Sequence, residues 1–332
     1  MKRRSLLASV ASVALAVTVG TSPAMAQDAP MGDGSVIRLL ANPAGTQAFP
    51  PYVIQRFGLD ERYGFRLEVV PTTWTSATIN AMLAGEAEIA VLDWVNISRM
   101  RANDMPFVGI APFMTYVNTI VVPSDSTATT VAELAGGNIG ALNVRSFDWV
   151  VTLVAAQSDG VDLAATSQII EGAPALMRGM LDQGRLDGSV MYASQTPATV
   201  LGGQFRVMTT IRELAEAAGL PDVPFLIYVA GEEWVAENPQ NAAAFVAAYR
   251  DAIEILMTDD QVWIDHATAA MDLSTEAAEL TRDLTRPDLL THFGDGDNAG
   301  FMATFDALYP VAGEEVFGFS QMPDSVVTME FN

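Results

Sequence analysis

The chain has 332 residues, a formal charge of −23, no cysteine, and a single lysine, Lys2. A surface this acidic repels the phosphates of nucleic acids and of anionic lipid headgroups, and without cysteine there is neither a disulfide nor a lipid-bearing thiol. Past Lys2 no amine side chain remains for Schiff-base chemistry, for pyridoxal phosphate or for a Walker-type phosphate loop.

The first 26 residues read as a cleavable secretory signal. Lys2, Arg3 and Arg4 precede an apolar run from Leu6 to Val19, and Ala24 and Ala26 supply the small-residue cleavage pattern. A membrane-spanning helix needs about 20 apolar residues, more than this run offers. The Arg3-Arg4 pair leaves the Sec and twin-arginine routes both open. Cleavage after Ala26 removes three cations and no acid, taking the charge to −26. The expected product works in the periplasm, untethered and free of a later membrane span.

Val36 to Leu40 is expected as a strand, followed by the loop Ala41 to Gln47. Pro50 and Pro51 suit a helix start, and Tyr52, Val53, Arg56 and Phe57 keep helical spacing to Gly58. Phe65 to Val70 alternates as a strand, Ser76 to Leu83 is helical, and Ile89 to Leu92 has the unbroken apolar character of a buried parallel strand. A second αβ series follows. Thr130-Val131-Ala132-Glu133 is a capping box closed by Gly136-Gly137. Strands are expected at Asn138 to Leu142, Gln168 to Ile170 and Gly188 to Met191, with helices at Phe147 to Ala156 and Ala173 to Leu181.

The two series share a fragment, Met82-Leu83-Ala84-Gly85-Glu86-Ala87-Glu88 and Met180-Leu181-Asp182-Gln183-Gly184-Arg185-Leu186-Asp187, whose glycines and final acids both lie 99 positions apart. Chance likeness between two helix-to-strand turns is the plain alternative to two lobes of like topology. Asn118 to Pro123 and Pro224 to Val229 read as strands crossing between the lobes, which supplies a hinge. Beyond them Asn238 can cap a helix that Pro239 opens, with Phe245, Tyr249, Ile253 and Leu256 as its core stripe. Asp260 to Met271 and Thr275 to Leu284 continue as helices, and Phe317 to Phe331 has no clear period.

Tyr63-Gly64-Phe65-Arg66-Leu67-Glu68-Val69, Ala81 to Ala90, Glu133-Leu134-Ala135-Gly136, Gly184-Arg185-Leu186-Asp187-Gly188 and Asn238-Pro239 stand in an order that resembles one family over roughly residues 36 to 260. It is the periplasmic substrate-binding proteins of ABC importers, in the group serving sulfonates, taurine, nitrate and thiamine-pyrimidine precursors. The resemblance implies an α/β, two-lobed type II periplasmic-binding fold with two crossover strands, here with added C-terminal helices. Lobe 1 would be residues 35–121 plus 226–332, and lobe 2 residues 122–225. It also implies a small-molecule ligand, a transient ABC permease partner, a monomer, no cofactor and no enzyme activity. Where the family often has a Gly-Ser turn, this chain has Val144-Arg145-Ser146-Phe147-Asp148.

Ligands of such sheets meet strand ends and helix starts. The candidates are Asn42, Thr46, Gln47, Trp74, Thr75, Ser76, Asp93 and Trp94 in lobe 1, and Arg145, Ser146, Phe147, Tyr192 and Ser194 in lobe 2. Thr75 and Ser76 can hold a sulfonate or carboxylate, or merely cap a helix. Arg145 can pair with an anion, Asp93 with a ligand amine or with Arg145 across the cleft. Trp94 and Tyr192 occupy repeat-equivalent places and can sandwich a ring, although packing is the plainer role of a tryptophan. The expected cargo is thus an organic anion of sulfonate, taurine or carboxylate type. The alternatives are a thiamine-precursor aminopyrimidine, or an exported enzyme or sensor on the same fold.

No metal site is expected. His266 and His292 lack partners at ligand spacing and read as surface or capping residues. Asp295-Gly296-Asp297 imitates an EF-hand start, but Ala299 and Asp306 occupy the fifth and twelfth positions. No nucleophile elbow, zinc-protease helix or G-x-G-x-x-G loop occurs.

Overall fold

A computed structural model describes residues 31–332 except Trp74 and Val117, so the expected signal segment lies outside the described residues. Strand β1 (Val36–Ala41) leads through helices α1 (Phe49–Arg56) and α2 (Leu59–Tyr63) to β2 (Arg66–Pro71). Helix α3 (Thr75–Leu83), β3 (Ile89–Asp93), α4 (Trp94–Ala102) and β4 (Phe107–Met114) follow. The chain then crosses to a second series, β5 (Thr119–Pro123), β6 (Asn138–Ala141), α5 (Phe147–Ser158), α6 (Leu163–Thr166) and β7 (Gln168–Glu171). That series ends with α7 (Pro174–Asp182), β8 (Gly188–Met191), α8 (Thr196–Val200), β9 (Phe205–Thr210) and α9 (Ile211–Ala217). It returns as β10 (Leu226–Gly231) and finishes in α10 (Glu232–Glu237), α11 (Pro239–Thr258), α12 (Asp260–Ala270), α13 (Thr275–Thr285) and α14 (Asp297–Phe317).

Two five-stranded sheets result, ordered β2-β1-β3-β10-β4 and β7-β6-β8-β5-β9. In the first, β1 runs parallel to β2 and β3, and β10 lies antiparallel between β3 and β4. The second repeats the scheme, with β6 parallel to β7 and β8, and β5 antiparallel to β8 and β9. The first sheet thus takes its antiparallel strand, β10, from beyond the second crossover, whereas the second sheet is built from one continuous stretch, β5 to β9. Because all of β5 belongs to the second sheet, the first crossover falls between Met114 and Thr119, slightly before the expected boundary at 121.

Alternation along the strands sorts the side chains to two faces. Ile37, Leu39, Ile89, Val91, Tyr228 and Ala230 meet Phe245, Tyr249 and Trp263 of α11 and α12 in one core. Leu40, Ala90, Leu92, Ile227 and Val229 face another core, which continues into lobe 2 through Ile120, Val122, Val150 and Val190. Burying each such side chain contributes about 1.5–3 kcal/mol before entropy is counted. The outer face of the second sheet has only a small satellite core of Val121, Met177, Met180, Leu181, Leu186, Met191 and Phe205.

Several local expectations change. The Thr130–Glu133 box forms, Glu133 accepting the Thr129 and Thr130 N–H groups. Asn238 does precede α11, yet its side chain donates backward to the Trp234 carbonyl instead of capping. His266 is not a surface residue. It is 8% exposed, beside the Phe49 and Tyr52 rings, and burial lowers its pKa to about 4. Helix α14 went unread in the sequence; it reaches both α4 and α5, so it spans the junction of the lobes.

Candidate functional site

The carboxyl ends of the parallel strands carry the expected residues. After β1, Asn42 accepts from the Ala44 N–H and Gln47 lies beneath the turn, its Oε1 facing the Asn42 N–H at 3.4 Å. Both are half-buried, whereas Thr46 is buried with its hydroxyl 3.8 Å from Met114 Sδ. Thr75 and Ser76 open α3 and are exposed. Trp74 lies outside the described residues. Asp93 caps α4, its Oδ1 accepting the Asn96 N–H at 2.8 Å.

In lobe 2 Ser146 caps α5, accepting the Trp149 N–H at 3.3 Å, and Ser194 is half-buried. Arg145, one of the two alternative partners for Asp93, has its guanidinium donating to Glu315 of α14 at 2.7 Å, with both side chains largely exposed. Tyr192, just past β8, is 39% exposed, and the exposed apolar side chains of Val144 and Leu176 follow β6 and β7. The pairing with Glu315 follows from α14 packing against α5, which Arg145 shortly precedes, and the sequence did not reveal it.

Trp94 corrects another expectation. It is 0% exposed and stacks on Phe301 at 5.4 Å, with Phe147 edge-on at 5.9 Å. Phe147 in turn stacks on Tyr116 at 4.6 Å and meets Phe225 at 5.3 Å. Tyr116 and Phe225 belong to the two crossover segments, so aromatics of both lobes and both hinge segments form one cluster. Trp94 and Phe147 therefore pack the lobe junction instead of forming open cleft walls, and Trp94 does not sandwich a ring with Tyr192. Burial drives the Tyr116 phenol well above its ordinary range. The Trp94 indole lies close to that hydroxyl and opposes the shift, yet neither polar atom reaches hydrogen-bond geometry with a partner.

Asp148 was not singled out in the sequence. It lies one position past Phe147 in the first turn of α5 and is 5% exposed. Its Oδ2 accepts from Asn118 Nδ2 at 2.8 Å, and Asn118 Oδ1 accepts the Ala193 N–H beside Tyr192. Its Oδ1 has no partner. Burial, against the opposing Asn118 bond, pushes the carboxyl up to about 6, and the charge of Asp93 adds to the rise. The Tyr192 phenol is raised by burial and then by Asp148 and Asp93. An acid set within Phe147-Asp148-Trp149-Val150-Val151 was the available signal, since a charge inside an apolar run rarely lacks a partner or purpose.

Among the described residues no cluster of three or more histidine, aspartate or glutamate side chains is arranged to hold a metal. Asp297, from the EF-hand-like stretch, instead accepts the Gly294 N–H at the start of α14.

The family model described as NMT1/THI5 like matches residues 46–261, well over half of the chain. The chain belongs to the NMT1/THI5-like family. No curated protein matches it in sequence. Solved structures agree on the fold of this family member. The periplasmic aliphatic sulphonate binding protein SsuA from Escherichia coli is 17% identical, covering 90% of this chain and 99% of its own at a TM-score of 0.73. The alkanesulfonate-binding SsuA from Xanthomonas axonopodis pv. citri, bound to MOPS, is 16% identical, covering 88% and 96% at 0.68. The periplasmic nitrate-binding protein NrtA from Synechocystis PCC 6803 is 16% identical, covering 75% and 70% at 0.58. No helix among the described residues is long and apolar enough to cross a membrane.

Proposed function

We propose that this NMT1/THI5-like protein is the periplasmic solute-binding component of an ABC-type importer, a monomer that captures a small polar organic solute between its lobes and presents it to a permease. The observation that carries the reading is the pair of like sheets joined by two crossover segments, with the carboxyl ends of β3, β6 and β8 all furnishing residues to one junction. Ligands of open α/β sheets bind at that end, and a two-segment hinge lets closure report occupancy. The role is that of a carrier, which needs affinity and release but no reacting side chain.

Two cargo classes compete. An organic anion is supported by the sulfonate- and nitrate-binding relatives and by the exposed start of α3 at Thr75 and Ser76. Its expected cation, Arg145, is engaged by Glu315. An amino-bearing heterocycle is favoured by Tyr192, whose phenol feels both Asp93 and Asp148. Thermal-shift and native mass-spectrometric screening of the mature protein tests the carrier reading, using sulfonates, taurine, nitrate, aromatic acids and aminopyrimidines. At least one compound is expected to raise Tm and to appear as a one-to-one complex. Silence from every class, with the protein folded, would refute it.

A further inference from the structure

We infer, resting on the solute-binding reading above, that Asp148 and Asp93 form an acidic subsite at the lobe junction, which takes a protonated amine carried on an apolar body and disfavours small anions. The two carboxylates come from opposite lobes, at the first turn of α5 and the N-cap of α4. Helix starts are where folds of this kind would hold an anion, because unpaired N–H groups and the helix dipole favour negative charge there. In this chain both positions already carry the protein's own acids. Asp93 accepts the N–H of Asn96 through Oδ1 and the Asn96 side-chain amide through Oδ2, so a second anion there would meet a carboxylate already in place.

Asp148 is the more telling of the two. A carboxylate accepts several hydrogen bonds, yet this one, 5% exposed, receives a single donor from Asn118 and leaves Oδ1 unpartnered. A buried acceptor without a donor is costly, and the missing group is one that brings a proton or a positive charge. The groups that face it include Asp93 on α4, Tyr116 in the first crossover and Tyr192 after β8; none is cationic. Glu171 at the end of β7 adds a further acid at the same sheet edge, where its carboxylate accepts the Val144 N–H. The guanidinium of Arg145 is neutralised by Glu315. Exposed Val144, Leu176 and Tyr192 line the lobe 2 strand ends and offer the apolar body a seat.

The test is a charge series on one skeleton. Phenethylamine, 2-phenylethanol, phenylacetate and 2-phenylethanesulfonate are titrated into the mature protein at pH 7.5 by calorimetry, with thermal shift in parallel. The amine is expected to bind at least tenfold more tightly than the alcohol, with the two anions weakest. Asp148→Asn is expected to weaken the amine about tenfold while leaving the alcohol unchanged. In the unmutated protein amine affinity is expected to fall below pH 6, as Asp148 takes up a proton, whereas the variant's profile is flat there. Tighter binding of either anion, or amine affinity untouched by Asp148→Asn, would overturn the acidic subsite while leaving the carrier reading intact. If none of the four binds and the earlier panel is also silent, the carrier reading fails together with it.

Discussion

The turn into β3 and the turn into β8 are built alike, bond for bond. In the first, the Gly85 N–H reaches the Met82 carbonyl at 3.0 Å and the Glu86 N–H reaches Ala81 at 3.0 Å. In the second, Gly184 reaches Leu181 and Arg185 reaches Met180, both at 2.9 Å. The glycines take φ of +70° and +63°, as this form of helix ending requires. Three residues later Glu88 accepts the Arg38 N–H, and Asp187 accepts that of Asn138, each at 2.7 Å. So the acid before β3 ties it to β1, and the acid before β8 ties it to β6. Past the strand the chemistry parts. At the 99-residue spacing Trp94 answers to Ala193, both buried, but an indole in one lobe is a methyl group in the other, and Asp93, which caps α4, answers to Tyr192, which stays 39% exposed. The repeat fixes backbone, which has one good solution in both lobes; the residue beyond it faces different neighbours and takes a different job.

Four measurements can break or sharpen that contrast. The largest effect is expected at its divergent end. Trp94→Ala removes a fully buried indole from the aromatic cluster and should cost about 3–5 kcal/mol in denaturant unfolding. Tyr192→Ala should cost under about 1 kcal/mol, as for other exposed sites. Equal losses would erase the distinction. Next comes Asp148→Asn. A carboxyl whose pKa rises from 3.8 to about 6 on folding penalises the folded state fully above pH 6, and the penalty vanishes as pH falls towards 4. The variant should therefore be about 1–3 kcal/mol more stable than the parent at pH 8 and show no such advantage at pH 4.

The shared half of the repeat predicts matched effects. Gly85→Ala and Gly184→Ala should each cost about 1 kcal/mol, since a Cβ strains a positive φ. A large loss at one and none at the other would mean that the likeness of the turns is only nominal. The smallest effect belongs to Arg145 and Glu315. A double-mutant cycle on this exposed pair should give no more than about 0.5 kcal/mol, falling as salt is added.

What the sequence made legible was the periodic part. The strands at 36–40 and 89–92, the helix at 76–83 and the proline-opened α11 follow from apolar spacing and end signals, and each appears within a residue or two of its expected place. The strands β4 and β9 escaped notice because Gly109 and Pro112 interrupt one and Arg206 and Thr209 dilute the other. The candidate site was legible by position but not by orientation. Asp93, Arg145 and Tyr192 do stand at or just past strand ends, yet only packing reveals that α14 supplies Phe301 to Trp94 and Glu315 to Arg145. Those partners lie more than 150 residues away, and no local pattern encodes such a meeting.

The last residues of the chain have a protective consequence. Strand β4, Phe107–Met114, is apolar along its whole length and stands at the edge of the first sheet. An unpaired edge of that kind templates strand addition by other molecules. Here the Gly109 N–H donates to the Val326 carbonyl, and the Thr328 N–H returns a bond to Gly109. The Asn298 side chain holds the tail in place, accepting the Val326 N–H and donating to the Val327 carbonyl. The segment with the least sequence periodicity thus serves as a guard against aggregation, shielding the most adhesive strand of a protein that works at whatever concentration its compartment imposes.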